Sequence, residues 1–565
     1  MAYKSPVAEF RFILDEIVPF ADVAATERYA HVTADTTAQI LTEAARMCDE
    51  VLAPLQRNAD TDPCRLENGV IRTSKGFAQG FRAIADGGWI GMCASPEFGG
   101  MDLPLTLGTI VNEMMGGACL SLQLNPLMSE GQIEALEHHA SDAIKALYLP
   151  KLISGEWTAT MNLTEAGAGS DVGALRATAK PLGDGTYAIS GQKIFITWAD
   201  HDFGGNVCHL VLARLPDGAP GTKGISLFMV PKFIPNDDGT LGPANTLHVV
   251  SIEHKMGIHG APTAVIQYDG AKGWLIGEPH AGMKAMFTMM NNARLGVSTQ
   301  GTAQAEAAFQ HALAYAMDRK QGKPPVGETI EGHADVRRML LTMKAEIFAA
   351  RSIMLHCAAA GDLERAGREG TKARTAFLTP IAKVWCTETG MRVAEMAQQV
   401  FGGMGYIEET GAAQYVRDVR ITAIYEGTNG IQAMDLVGRK LADHGDAAFT
   451  IIDEVQNCAE TRRADHPELA AKVWDMAEAL RDATDWMVNA DMLDRQAGAV
   501  PYLWAFARVI GGSAHLKAAT ASPIRLALAD HYIRRLLPEV TGLLAHSRVG
   551  AAGLYALNAE DLASA

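Results

Sequence analysis

Glu426 lies in the run Ile421-Thr422-Ala423-Ile424-Tyr425-Glu426-Gly427-Thr428-Asn429, an acidic side chain among apolar neighbours just ahead of a helix-like segment. A carboxylate in such surroundings can accept a proton, because desolvation raises its pKa. It can equally decorate the helix N-terminus, where negative charge is favoured. Two glycine-bearing segments accompany it. Thr164-Glu165-Ala166-Gly167-Ala168-Gly169-Ser170-Asp171 is either a plain turn after a strand or a loop whose backbone N–H groups approach a ligand closely. Gln399-Val400-Phe401-Gly402-Gly403-Met404-Gly405-Tyr406 ends a helix near Val400 by a glycine cap, and that helix end is free to meet a ligand as well. Gly167, Gly169 and Gly173 lack the GxGxxG spacing of a dinucleotide-binding turn, and no GxxxxGK[ST] phosphate loop occurs.

The elements that must carry these residues follow from periodicity. Apolar positions Ile40, Leu41, Ala44, Ala45, Cys48, Val51 and Leu52 predict a helix over 34–58, capped by Thr33 or Asp35. Further helical segments are expected at 75–86, 105–117 and 141–149. After Gly155 the pattern turns strand-like, at 157–163, 187–197, 209–214, 224–231 and 264–268, with Gly183-Asp184-Gly185 as a hairpin turn. Helix returns at 282–319, 335–359, 371–400 and 429–443, which implies a bundle. Within 371–400, Pro380 is either a helix start capped by Thr379 or a kink. Residues 446–565 are again helical, with Val473, Met476, Leu480 and Trp486 as core positions. The predicted fold is mainly α with a central β-domain. It comprises an N-terminal helical domain (1–156), a middle β-domain (157–281), a helical bundle (282–445) and an additional C-terminal helical domain (446–565).

Bulk properties narrow the function classes. The chain has 565 residues, 48% of them hydrophobic and 20% charged, as in ordinary globular proteins. A formal net charge of −16 argues against nucleic-acid binding. Eight scattered cysteines without a CxxC pair indicate neither a zinc cluster nor a disulfide framework. Met1–Phe20 lacks a basic n-region followed by an apolar core, and no uninterrupted apolar run of membrane-spanning length is read. The expectation is a cytoplasmic protein without membrane insertion. Asp475, Glu478 and Asp482 give the C-terminal helices a solvated face.

Taken together, Thr164–Asp171, Lys193-Ile194-Phe195-Ile196-Thr197, Gln399–Gly405 and Tyr425–Thr428 resemble, in order and spacing, the motifs of the acyl-CoA dehydrogenase family. Each piece alone is weak; jointly they are specific. The resemblance spans about residues 80–440 and implies FAD as cofactor and an acyl-CoA thioester as substrate, oxidised to the trans-2-enoyl-CoA. It makes Glu426 the base that removes the α-proton, with its own backbone N–H holding the thioester oxygen. Where some relatives carry the base on the bundle helix, this chain has Ala293, which cannot serve.

The same resemblance implies that Met161, Leu163, Thr164, Gly169 and Ser170 contact FAD and that Phe195, Ile196 and Thr197 line the flavin ring. Phe195 stands where the family usually has Trp, and Trp198 reads as a packing residue. Arg319, Gln399, Gly402 and Gly403 would reach the FAD of a neighbouring subunit, with Thr428 near the adenine. Cofactor sharing would require a homodimer or homotetramer. The family's Phe after Arg319-Lys320 is replaced here, in Arg319-Lys320-Gln321-Gly322-Lys323. Asn291 and Arg294 would hold the CoA portion, with Ser170 and Gly427 also at the substrate; within the bundle, Arg294 could instead pair with a carboxylate.

Tyr3-Lys4-Ser5-Pro6-Val7, Gly221–Phe233 and Glu253-His254-Lys255-Met256-Gly257-Ile258 look like the long bacterial branch of the family, which acts in dimethylsulfoniopropionate breakdown among other roles. The implied substrate is 3-(methylthio)propanoyl-CoA, with a general fatty acyl-CoA as the alternative. Electron-transfer flavoprotein is the implied acceptor. An acyl-CoA oxidase, which passes electrons to oxygen, and a DNA-associated stress flavoprotein are the competing readings.

Overall fold

A computed structural model describes residues 3–565, and these group into two compact units. One unit holds Gln39–Gly296; the other holds Pro6–Ala38 together with Val297–Ala565.

The first unit is built around a sheet of seven strands. Thr263–Ile276, Tyr187–Thr197, Thr178–Pro181, Val207–Arg214 and Ile225–Pro231 pair in succession, and the last returns to Thr263–Ile276, closing a ring of five strands. Leu247–Ile252 and Thr158–Asn162 extend it at the sides. The interior is filled by Ile189, Ile196, Val211, Phe228, Val230 and Ile266, as alternation along the strands requires. The hairpin at Gly183–Gly185 forms as expected, with Pro181 opposite Tyr187 and both glycines at positive φ.

The accompanying helices correct one expectation and settle one alternative. The segment read as 105–117 is a helix from Leu105 to His139, interrupted only at Cys119, whose backbone leaves the helical region. Gly116, Gly117 and Pro126 are poor helix formers, yet near-complete burial holds the second half helical. Its 18-residue apolar window passes for a membrane span by length and composition alone, and 94% of that window is buried within the protein. Thr33, not Asp35, caps the helix Ala34–Met47, its Oγ1 accepting from the Thr36 N–H at 3.1 Å.

The second unit contains the long helices Ala334–Arg365 and Thr371–Val400, the later part of Gly282–Asp318, and the C-terminal helices from Asp446 onward. Pro380 neither starts nor ends its helix, and Thr379 donates back to Thr375 O at 2.7 Å instead of capping. The helix expected over 429–443 is α-helical only to Asp435 and then widens into a π turn, Leu436–Lys440. The C-terminal helices share the bundle's core. Buried Arg508 donates to Glu346 at 2.7 Å and lies over the rings of Trp385 and Tyr532. Of the expected core positions there, Val473 and Leu480 are buried, whereas Met476 and Trp486 are only half-buried because Ala477, Ala483 and Met487 occupy the inner face. The N-terminal helix Val7–Glu16, absent from the sequence reading, joins this unit through Arg525, which pairs with Glu9 at 2.7 Å.

Candidate functional site

The candidate residues fall into two groups, one in each unit. In the first unit, the strand Thr158–Asn162 leads through Leu163 into the glycine loop. Glu165 accepts from the backbone N–H groups of Arg176 and Ala177, at 2.6 and 3.0 Å. Its other partner is Lys193, whose fully buried Nζ lies 2.8 Å from Glu165 and 3.0 Å from Leu163 O. Burial pulls the Lys193 ammonium down to about 8, against the opposing pull of Glu165. The pair fixes the start of the loop, while Gly169 and Ser170 remain exposed. A Cβ on Gly167 or Gly169 would meet nothing within 4 Å, so the loop leaves open space beside it.

The neighbouring strand carries the second feature. Between Lys193 and Ile196 the pairing with Thr263–Ile276 slips by one residue, a β-bulge. Phe195 sits in it at φ +61°, a left-handed conformation usually left to glycine, and its ring is 59% exposed. Such strain, about 1 kcal/mol, typically marks a functional position. Ile196 is buried, Thr197 half-buried, and Ile194 N–H bonds to Thr164 O at 2.9 Å, which ties bulge and loop together. Trp198 is fully buried, its indole N–H donating to Ser121 O at 3.1 Å, as a packing residue should. An exposed aromatic ring beside an open glycine loop fits a flat, phosphate-bearing cofactor. Asn291 and Arg294 lie elsewhere in this unit, on the helix beginning at Gly282; the buried Arg294 guanidinium donates to Asn291 Oδ1 at 3.3 Å.

In the second unit Glu426 follows a 3-10 turn, Arg420–Ala423, and precedes the helix Asn429–Asp435, which Thr428 caps through the Ile431 N–H. Glu426 is half-buried at φ +54° and Gly427 is at φ +85°, two successive left-handed residues. Buried side chains hold both carbonyls of this turn. Gln432 donates to Glu426 O at 3.2 Å, and Lys383 donates to Gly427 O at 2.9 Å and to Asn429 Oδ1 at 2.8 Å. Tyr425 donates its hydroxyl to the Gln300 side chain. Burial, reinforced by the Glu426 charge, pushes the Tyr425 phenol far above its ordinary value. Glu426 is thus set into a turn whose carbonyls are held by buried side chains. Gln399 is exposed in the last turn of the helix Thr371–Val400, Gly402 and Gly403 are exposed just past it, and Arg319 is exposed after Asp318.

The sequence reading missed the residues beneath these features: Lys193 as an ion-pair partner, and Gln300, Lys383 and Gln432 as supports. Lys383 could have been noticed as a cation amid Ile381-Ala382 and Val384-Trp385-Cys386, where an unpaired charge is costly. Gln300 and Gln432 carry no local signal.

Comparison with known proteins accounts for nearly the whole chain. Residues 34–156, 160–271 and 280–441 match the family models for the acyl-CoA dehydrogenase N-terminal, middle and C-terminal domains, and 451–558 matches an acetyl-CoA dehydrogenase C-terminal-like domain. The chain is 45% identical over 454 residues to a 3-methylmercaptopropionyl-CoA dehydrogenase of Ruegeria pomeroyi, covering 79% of this chain and 77% of that one. It is 34% identical over 558 residues to a butyryl-CoA dehydrogenase of Syntrophomonas wolfei, covering 89% and 90%. Among solved structures, Caenorhabditis elegans ACDH-11 in complex with C11-CoA shares the fold at a TM-score of 0.79 and 20% identity, over 94% of this chain and 91% of that one.

Proposed function

The chain belongs to the acyl-CoA dehydrogenase family and is a flavin-dependent enzyme that uses FAD, and from that premise we propose that Glu426 is its catalytic base. The carboxylate takes the α-proton of an acyl-CoA thioester. The electrons of that C–H bond form the new C2=C3 double bond, and the β-hydrogen leaves with its own electron pair. Bound FAD supplies the acceptor for that hydride. The Glu426 backbone N–H polarises the thioester oxygen, lowering the cost of the developing negative charge. Thr164, Gly169 and Ser170, with Met161 and Leu163 behind them, hold the cofactor, and Phe195, Ile196 and Thr197 face its ring. Arg319, Gln399, Gly402, Gly403 and Thr428 contact FAD in a homodimer or homotetramer. Asn291 and Arg294 hold CoA, with Ser170 and Gly427 against the substrate.

The observation that carries this reading is the left-handed turn at Glu426–Gly427, whose two carbonyls are held by Gln432 and Lys383. A surface glutamate needs no such support. The substrate proposed is 3-(methylthio)propanoyl-CoA, on the similarity to the Ruegeria protein; the Syntrophomonas relative favours a short unsubstituted acyl-CoA as the second reading. Electron-transfer flavoprotein in the cytoplasm is the proposed acceptor.

Glu426→Gln tests the assignment. The variant is expected to purify yellow with flavin yet lose several orders of magnitude in turnover, the scale of an essential base. Near-normal turnover would reject it. An acyl-CoA panel with an artificial electron acceptor ranks the two substrates, and hydrogen peroxide release would mark an oxidase instead.

A further inference from the structure

Four helices of the second unit enclose a cavity of about 290 Å³, a volume at the lower end for small-molecule sites. The helix Ala334–Arg365 contributes His356, and Thr371–Val400 contributes Arg374 and Leu378. The C-terminal helices Asp446–Arg462 and Ala499–Ala518 supply most of the rest, and Ile17, just past the helix Val7–Glu16, completes the lining. None of the residues assigned to the dehydrogenation site belongs to it.

The lining divides by chemistry. Leu378, Ile451, Val455 and Ile510 are each at most 7% exposed and give the cavity apolar walls. Its charged residues are three cations, Arg374, Arg462 and Lys517, against one carboxylate, Glu454. That carboxylate is already taken, because Arg374 grips it with two nitrogens at 2.5 and 2.8 Å. Lys517 donates to Ile17 O at 3.1 Å, and neither it nor Arg462 has a carboxylate partner among the described residues. Both stand in the last turn of their helices, where the helix dipole contributes about half a negative charge apiece. The two helix ends offset one of the two unpaired cations, so the cavity keeps an excess of about one positive charge.

His356 adds an uncommitted hydrogen-bonding group. Its Nδ1 is buried without a partner among the described residues. Although the residue as a whole is half-buried, desolvation, with the Arg374 and Lys517 charges nearby, holds the imidazole down to about 3. The neutral ring keeps one N–H to donate. Buried polar atoms are nearly always paired, so this ring calls for a partner that the chain does not supply.

We propose that this cavity is a binding site for a small amphiphilic anion, a monocarboxylate with a short hydrocarbon body. Lys517 and Arg462 meet its charge, the His356 N–H donates to a carboxylate oxygen, and the body lies against Leu378, Ile451 and Ile510. A bare inorganic anion leaves the apolar walls unfilled. A neutral hydrocarbon leaves the positive charge and the imidazole unmatched. The occupant touches bundle, C-terminal and N-terminal segments of the second unit at once, and so holds them together when it binds.

Cys458 lines the same cavity and is half-buried, which gives the test a local readout. Cys93, also half-buried but in the first unit, is the control. The FAD-loaded, full-length enzyme is treated with iodoacetamide in the absence of any CoA ester, and alkylation of each cysteine is followed by peptide mass spectrometry. Hexanoate is titrated as the probe, beside 1-hexanol and inorganic phosphate. At about ten times its Kd, hexanoate is expected to slow alkylation of Cys458 about tenfold, since the unoccupied fraction falls by that factor, and to leave Cys93 unchanged. Hexanol and phosphate should leave both rates unaltered. Lys517→Met and Arg462→Met should each raise the hexanoate concentration needed by about threefold or more, the scale of a solvent-screened ion pair, and Lys517→Arg should not. Arg462→Met decides the matter should Lys517→Met not fold. No protection by hexanoate, equal protection by hexanol or phosphate, or titrations unshifted in the folded Met variants overturns the proposal.

Discussion

The Lys383 ammonium, fully buried, donates to the Gly427 carbonyl at 2.9 Å, immediately after Glu426 in the chain. The same group reaches Asn429 Oδ1 at 2.8 Å, and Asn429 in turn donates to Thr387 and Glu388 at 3.1 and 2.8 Å. A single cation on the helix Thr371–Val400 thus anchors the backbone that presents the proposed base. Lys383→Met is expected to lower kcat roughly 10–100-fold, the scale of a displaced catalytic group, with KM and bound flavin little changed. Steady-state kinetics alongside the flavin absorbance check this; an unaltered kcat would show that the turn holds its shape without the lysine.

Lys193 and Glu165 form the corresponding support under the glycine loop. Removing one member of a buried ion pair strands the other, at a cost of about 3–5 kcal/mol. Lys193→Met is expected to lower the unfolding midpoint and the flavin content together. Lys193→Met combined with Glu165→Gln should recover part of the stability, because no charge is then left uncompensated. Calorimetry and the flavin-to-protein absorbance ratio read both effects. If the single variant kept its full flavin, the pair would not be what orders the loop.

The α–β–α order, the hairpin at Gly183–Gly185 and the motif segments were legible in the sequence because each rests on local pattern: period, turn glycines, short motifs. The continuation of Leu105–His139 past Cys119 was not, since tertiary burial overrode Gly117 and Pro126. The Phe195 bulge and its positive φ arise from pairing with a strand some 70 residues on, which no local window contains. Lys383, Gln432 and Gln300 support Glu426 from separate elements, so only folding reveals what they do.

Arg294 is buried with Nη1 on Asn291 Oδ1 at 3.3 Å, on the helix read as the substrate's CoA contact. Arg294→Ala is expected to raise KM about tenfold or more while leaving kcat within a few fold, because an interaction made equally in ground and transition states sets binding alone. Initial-rate measurements over a wide substrate range separate the two constants. An unchanged KM with collapsed flavin content would make the residue a structural one.

Glu130 offers a pH test of opposite sign to most carboxylates. Its Oε2 accepts from Asn112 at 2.9 Å, while Oε1 is buried without a partner among the described residues. Although the residue as a whole is only half-buried, desolvation outweighs the Asn112 bond and, with Glu134 nearby, pushes the carboxyl up to about 8. From the ordinary carboxylate value up to about 8, the folded chain holds a proton that the unfolded chain has released. Stability contributed at this site therefore falls as pH rises through that window, by at most ~1.4 kcal/mol per pH unit, and levels off above it. Glu306 behaves in the ordinary sense: Lys344 and Arg351 overcome its burial and hold it at about 2, so its contribution is kept above the usual carboxylate range and lost as pH falls toward that value. Glu130→Gln keeps an acceptor for Asn112 and removes the titration. The variant is expected to gain stability relative to the wild type between pH 5 and about 8, with a constant difference beyond. Denaturant unfolding of both proteins across that range measures it, and curves that stay parallel throughout would mean that Glu130 ionises in the folded chain as it does in the unfolded one.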